Sequence, residues 1–191
     1  MQPGLKEESD GDLLKRAAGG SEEAFVTLYR RHQGRVFRFA LRMSGDEAAE
    51  EVVQEVFLTV IRGPVRYDAA RGSLVAWLLG VARNHVLRIL EREPRPSRDV
   101  ETAELDVPDA SADVLASLLA RESSEALRRA VLSLPSSYRE VLALCDLEEL
   151  DYTDAARALG CSLGTIRSRL HRARNLLAAK LIAAGHNGCA V

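Results

Sequence analysis

A stretch near the C-terminal end, Tyr152 to Arg174, constrains this chain more than any other, because it reads as two helices joined by a tight corner. Asp151 or Thr153 can cap the first helix and Leu159 closes its apolar face. Gly160 supplies the backbone freedom a sharp turn needs at a helix end. Ser162 is placed to cap the second helix. There Ile166, Leu170, Ala173 and Leu177 recur at spacings of four, three and four, so they share one stripe that must face a core.

The opposite face of that second helix carries Gly164, Ser168, His171, Arg172 and Asn175, with Arg167, Arg169 and Arg174 on its flanks and no acid between Cys161 and Lys180. A basic, donor-rich face on a corner-mounted helix suits the DNA major groove. There Arg and Asn read base edges, and flanking Arg such as Arg167 and Arg174 grip phosphate. The whole chain has a net charge of −2, so any such contact must come from local patches rather than a uniformly basic coat.

Upstream the pattern is helical throughout. Leu13, Leu14, Ala17 and Ala18 suggest one short helix before Gly19-Gly20. From Ser21 to Met43, Phe25, Leu28, His32, Val36, Phe39, Ala40 and Met43 keep helical spacing, with Arg30, Arg31, Arg35, Arg38 and Arg42 on the other faces. Asp46 to Arg62 divides cleanly. Ala49, Val52, Val53, Val56, Phe57, Val60 and Ile61 form one side, and Glu47, Glu50, Glu51, Gln54 and Glu55 form an acidic strip on the other. Gly63-Pro64 ends this helix. A loop with Arg66, Tyr67, Asp68 and Arg71 leads to Ser73, which is placed to cap a helix reaching about Arg92. Its stripe is Leu74, Leu78, Val81, Ala82 and Ile89, with Trp77, Gly80, Asn84 and Arg88 aligned beside it.

Between Glu93 and Asp113 periodicity vanishes; Pro94, Pro96 and Pro108 punctuate a segment with seven acids against Arg95 and Arg98, which reads as a tether. Helical pattern resumes near Ala112, and a further helix starts at Ser136 or Ser137. The fold class expected is therefore all-α: two small helical domains joined by a flexible acidic linker, the second containing a helix-turn-helix. The boundaries are an N-terminal extension at 1–20, a helical domain at 21–92, a linker at 93–111, the helix-turn-helix domain at 112–182 and a tail at 183–191.

Content of 47% hydrophobic and 28% charged residues fits a soluble globular chain. No apolar run approaches the ~20 residues that cross a bilayer, so a cytoplasmic protein with no membrane insertion is expected. Cys145, Cys161 and Cys189 are few and widely spaced, as reduced thiols are. His186 and Cys189 make at most half a metal site, so neither metal nor cofactor is expected. His32, His85, His171 and His186 are scattered and no Gly-rich phosphate loop occurs, which speaks against an enzyme.

Two motifs carry a resemblance. Ala49-Glu-Glu-Val-Val-Gln-Glu-Val-Phe57, with Gly72-Ser-Leu-Val-Ala-Trp-Leu-Leu-Gly-Val-Ala-Arg-Asn84, resembles region two of bacterial sigma factors of the extracytoplasmic-function (ECF) group. Leu134-Pro-Ser-Ser-Tyr-Arg-Glu-Val-Leu142, with Gly164-Thr-Ile-Arg-Ser-Arg-Leu-His-Arg-Ala-Arg174, is similar to that group's region four. The family pattern usually has Asp where this chain has Glu51, which keeps the charge on a longer arm. The third helical domain of larger sigma factors is missing.

The resemblance implies a subunit that joins core RNA polymerase, recognises promoter DNA and helps melt it, for a stress or envelope-response regulon, with an anti-sigma factor as regulator. It points to Glu50, Glu51, Gln54 and Glu55 for docking on polymerase. For the unpaired minus-ten strand it points to Arg66, Tyr67, Trp77, Asn84 and Arg88, whose chemistries stack bases and track a backbone. For Trp77 the packing role stands ahead of base contact, because a lone Trp on a short helix usually anchors a core. For the minus-35 duplex it points to Arg167, Ser168, His171 and Arg172. The competing reading is a stand-alone helix-turn-helix regulator, which would need neither an acidic docking strip nor a melting loop.

Overall fold

A computed structural model describes residues 8–62, 67–92 and 124–187. Arg66, the expected linker, the start of the second domain near Ala112 and Cys189 lie outside the described residues, as do the side chains of Glu47 and His186. Every regular element among the described residues is helical, so the fold is all-α.

The first four helices are α1 (Asp10–Ala18), α2 (Glu22–Ser44), α3 (Asp46–Arg62) and α4 (Leu74–Arg92), with a single 3-10 turn (Ala69–Arg71) before α4. Ser9 and Ser21 cap α1 and α2 by accepting backbone N–H bonds from Asp12 and Ala24. Leu28, Val36, Phe39 and Met43 of α2 meet Val52, Val56, Phe57 and Val60 of α3 in a fully buried core. Each such side chain contributes about 1.5–3 kcal/mol by leaving water.

Two details depart from the sequence pattern. Residues 10–18, expected within an extension, fold onto this core: Leu13, Leu14 and Ala17 are buried, and Asp10 pairs with Arg31 and, at 2.9 Å, with His32. Burial pushes the His32 pKa below its ordinary value, with Asp10 pulling partly back. Ile61, assigned to the core side of α3, is 50% exposed, because it lies a hundred degrees around the helix from buried Val60 in the last turn.

Four further helices follow: α5 (Ser124–Leu132), α6 (Ser136–Leu142, running on as a π turn over Ala143–Leu147), α7 (Tyr152–Leu159) and α8 (Leu163–Asn187). Asp151 caps α7, accepting from Asp154 N–H at 2.7 Å. Gly160 turns the corner at φ 64°, in the left-handed region where a side chain is strained, and Ser162 accepts from Thr165 N–H at 3.1 Å at the start of α8. Ile166, Leu170, Ala173 and Leu177 are buried as their spacing requires, against Val141, Leu142 and Leu144. Cys145 is half-buried there, which pushes its thiol up to about 12.

The two sets of helices pack together: α4 lies against α7, and α2 touches α5, α6 and the π turn. On α4, Leu78, Ala82 and Val86 continue one stripe at spacings of four and Leu79 lies beside it, while Ala76 is buried nearer the side of Gly80, where α7 lies against the same helix. Gly80 permits that approach. A Cβ there would sit 3.4 Å from the Ala158 carbonyl oxygen.

Candidate nucleic-acid interface

On α3, Glu50, Glu51 and Gln54 are exposed and Glu55 is half-buried, one acidic face opposite the core whose N-terminal end, at Asp46, is met by Arg128 of α5. His85 of α4 lies behind this strip. Burial lowers its pKa, while Glu55 and Glu51 oppose the shift.

The loop before α4 and the face of α4 beside its core stripe form a cleft of roughly 660 Å³. Tyr67, Trp77 and Asn84 line one wall, and Arg157, Cys161 and Leu163 from the corner region line the other. The Tyr67 and Trp77 rings stand 6.2 Å apart and tilted, and both are only partly buried. Trp77 thus packs with one part of its ring and opens to the cleft with another. Desolvation raises the Tyr67 pKa, so its hydroxyl stays protonated near neutrality. Asn84 and Arg88 are exposed one turn apart; Arg88 is not among the residues lining the cleft.

On α8 the outward face is as the spacing requires. Arg167, Ser168, His171 and Arg172 are exposed, and Ser168 donates to the Thr165 carbonyl at 3.1 Å. Arg174 is different. Expected to meet phosphate, it makes a two-point ion pair with Asp146 at 2.7 and 2.9 Å, and both side chains are largely buried. Its guanidinium braces α8 against the π turn, so on that flank the cations facing outward are Arg167 and the half-buried Arg169.

Sequence reasoning missed the charged contacts between the two sets of helices. Glu148, with a side chain of 0% exposure, receives Arg38 at 2.9 and 3.1 Å, together with Arg35 and Arg42. Arg35 also donates to the Glu148 carbonyl. Arg83 meets Glu140 at 3.1 Å, Arg128 meets Asp46 at 2.9 Å, and Ser73 donates through both N–H and hydroxyl to Asp154. The available signal was on α2, where Arg35, Arg38 and Arg42 follow at three and four and so share one face. Nothing local to Glu148 announces its partners.

Among the described residues no group of three or more His, Cys, Asp or Glu comes together as a metal site, and no helix is long and apolar enough to cross a membrane.

Residues 28–95 match the family model for Sigma-70 region 2, and residues 124–177 match Sigma-70, region 4. The ECF RNA polymerase sigma factor SigK of Mycobacterium tuberculosis is 33% identical over 174 residues, 90% of this chain and 92% of that protein. SigM of the same organism is 35% identical over 179 residues, 92% of this chain and 86% of its own length. SigE of Mycolicibacterium smegmatis is 34% identical over 152 residues, 78% of this chain, and the match spans 58% of SigE. Among solved structures, CnrH in complex with the cytosolic domain of CnrY superposes with a TM-score of 0.62 at 28% identity, covering 92% of this chain and 99% of that one. RpoE with the anti-sigma factor NepR from Bartonella quintana gives 0.63 at 25% identity, covering 83% and 96%.

Proposed function

The chain belongs to the ECF sigma factors of the sigma-70 family, and from that premise we propose how its surfaces divide the work of starting transcription. Glu50, Glu51, Gln54 and Glu55 dock on core RNA polymerase. Tyr67, Trp77, Asn84 and Arg88 take the minus-ten strand as it leaves the duplex, together with Arg66, which lies outside the described residues. Arg167, Ser168, His171 and Arg172 meet the minus-35 element. The domains expected from sequence, 21–92 and 112–182, act as separate reading heads on one tether. The protein performs no chemistry of its own and works in the cytoplasm, where polymerase is. Because CnrH and RpoE are each seen with a bound partner, RpoE with an anti-sigma factor, a protein of that kind is a partner of this chain too.

The observation that carries this reading is one chain holding both an exposed acidic helix face at Glu50, Glu51 and Gln54 and a corner-mounted helix with a basic outer face. A stand-alone regulator has no use for the first. The test is reconstitution with core polymerase, followed by footprinting and permanganate probing across genomic fragments. Protection at two elements with reactive thymines in the downstream one is expected. A chain that binds duplex alone and fails to copurify with polymerase would overturn the reading.

Three single substitutions separate the reading heads and their contacts. Asn84→Ala should reduce open-complex formation about tenfold, the value of one hydrogen bond of about 1.5 kcal/mol, and leave closed-complex binding near wild type. Permanganate reactivity beside a gel shift measures both, and equal losses would count against a role in strand opening. Arg172→Ala should cost about 1 to 3 kcal/mol on the preferred upstream element and flatten discrimination at one base pair, whereas Arg167→Ala should weaken all sequences alike and lower the salt slope by about one. Titration against a library of upstream elements at several salt concentrations distinguishes them. An unchanged sequence profile for Arg172→Ala would mean that α8 enters the groove in another rotation.

A further inference from the structure

We propose that Arg35, Arg38 and Arg42 of α2 form a phosphate-binding strip for the promoter backbone, and that Glu148 occupies it in place of phosphate while the two sets of helices are packed together. The inference rests on the promoter-opening reading above.

The strip is built like a polyanion site. Three guanidinium groups lie on one face of one helix, and the distance from Arg35 to Arg42 is about 10 Å at the helical rise per residue. Planar guanidinium forks accept carboxylate and phosphate by the same two-point geometry, and Arg38 makes that geometry with both Glu148 oxygens. The present occupant is too small for the site. One carboxylate faces three cations, and the arginine side chains remain 25–50% exposed while the carboxylate is fully enclosed. Two positive charges are left over, with outer edges open to solvent.

The same substitution of carboxylate for phosphate recurs along the interface. Glu140 sits on Arg83, next to Asn84, and Asp154 accepts from the N–H and hydroxyl of Ser73 at the mouth of the Tyr67–Trp77 cleft. Donors of the first half thus meet acids of the second at Glu148, Glu140 and Asp154, while Arg128 of α5 pairs the other way with Asp46. Enclosing a carboxylate in this way adds little to stability over an apolar contact of the same shape, whereas it makes the contact exchangeable for another anion. Nucleic acid is favoured over an acidic protein segment as that anion, because α2 packs directly against α4, the helix that carries Trp77 and Asn84.

The test uses holoenzyme reconstituted from the full chain and core polymerase. With Arg35, Arg38 and Arg42 all changed to Ala, the slope of log affinity against log salt for open-complex formation should become shallower by about 2, from about 0.7 per single-strand phosphate. Arg38→Ala alone, at the most exposed of the three, should remove about 0.7 and guards against a folding defect in the triple variant. A clamp that merely held the halves together would leave both slopes unchanged, and unchanged slopes overturn the proposal.

In the free chain, Glu148→Gln should bind a short mixed-sequence single-stranded DNA about tenfold more tightly than wild type, as expected if about nine-tenths of the wild type is closed. Duplex and single-stranded probes are compared, and a gain on either supports the strip. Polyglutamate binding in preference to both would overturn it in favour of an acidic protein ligand. Wild-type holoenzyme that opens no promoter would sink the underlying reading as well, a result distinct from wild type that opens promoters with slopes equal to those of the variants.

Discussion

Changing Glu50, Glu51 and Glu55 together to Lys should abolish association with core RNA polymerase and leave the helical content intact. Glu50 and Glu51 point to solvent and Glu55 is half-buried, all on the side of α3 away from Val52, Val56 and Val60. Exposed substitutions of this kind cost folding only within about ±0.5 kcal/mol each. On a docking surface the same change turns three attractions into three repulsions. At about 1 kcal/mol lost per attraction the affinity drops more than about a hundredfold, and like-charge juxtaposition removes more. Copurification at moderate salt, with circular dichroism as the control, measures the effect. A folded triple variant that still elutes with polymerase would show that the docking face lies elsewhere.

Leu170→Ala should produce the largest loss of stability among single changes in the DNA-reading helix. Leu170 is 1% exposed and is seated between Ile166 and Ala173 in the core under α8. Emptying such a site costs about 2–5 kcal/mol, a large share of the 5–15 kcal/mol that holds a typical domain together. Thermal unfolding should show the second set of helices melting well below the first, with duplex binding lost near physiological temperature. Polymerase association should persist, since α3 draws its core from α2 and α4. A variant that melts with the wild type would mean that the apolar stripe of α8 is not the core its burial indicates.

The elements that can be read from sequence here are those with one apolar side. The helix from Asp46 to Arg62 and the Asp151, Gly160 and Ser162 corner stand where spacing and caps place them, because cap, stripe and terminating glycine are all local signals. Helix α4 is harder. It is covered by α2 and α3 on one side and by α7 on another, so its buried residues do not reduce to a single stripe, and Ala76, Leu79 and Val86 escaped notice. The Arg174–Asp146 pair was hidden for a related reason: a cation on the flank of a basic helix looks like its neighbours until Asp146, 28 residues earlier, is seen beside it. The Arg35–Glu148 contact spans 113 positions, and no window of sequence can contain both ends. The polymerase- and DNA-contact assignments were legible as surfaces because exposure follows helical phase, whereas their ligands came from resemblance to a family.

The acidic face of α3 is exposed among the described residues, while Trp77 and Asn84 share their cleft with α7 and its corner and Arg35, Arg38 and Arg42 hold Glu148, and this difference sets an itinerary. A partner arriving at α3 finds its surface ready-made. A nucleic acid arriving at α4 finds Asn84 exposed, but it reaches Arg35, Arg38 and Arg42 only in molecules whose halves have already parted. If about one molecule in ten is parted, its apparent affinity is about tenfold below the intrinsic one, however good the contacts. Surplus copies of this chain would therefore not litter the genome or hide promoters from other sigma factors. Polymerase would function as an admission ticket: only a copy prised open on the enzyme competes for DNA, so the number of engaged promoters follows the supply of core enzyme rather than the abundance of the chain.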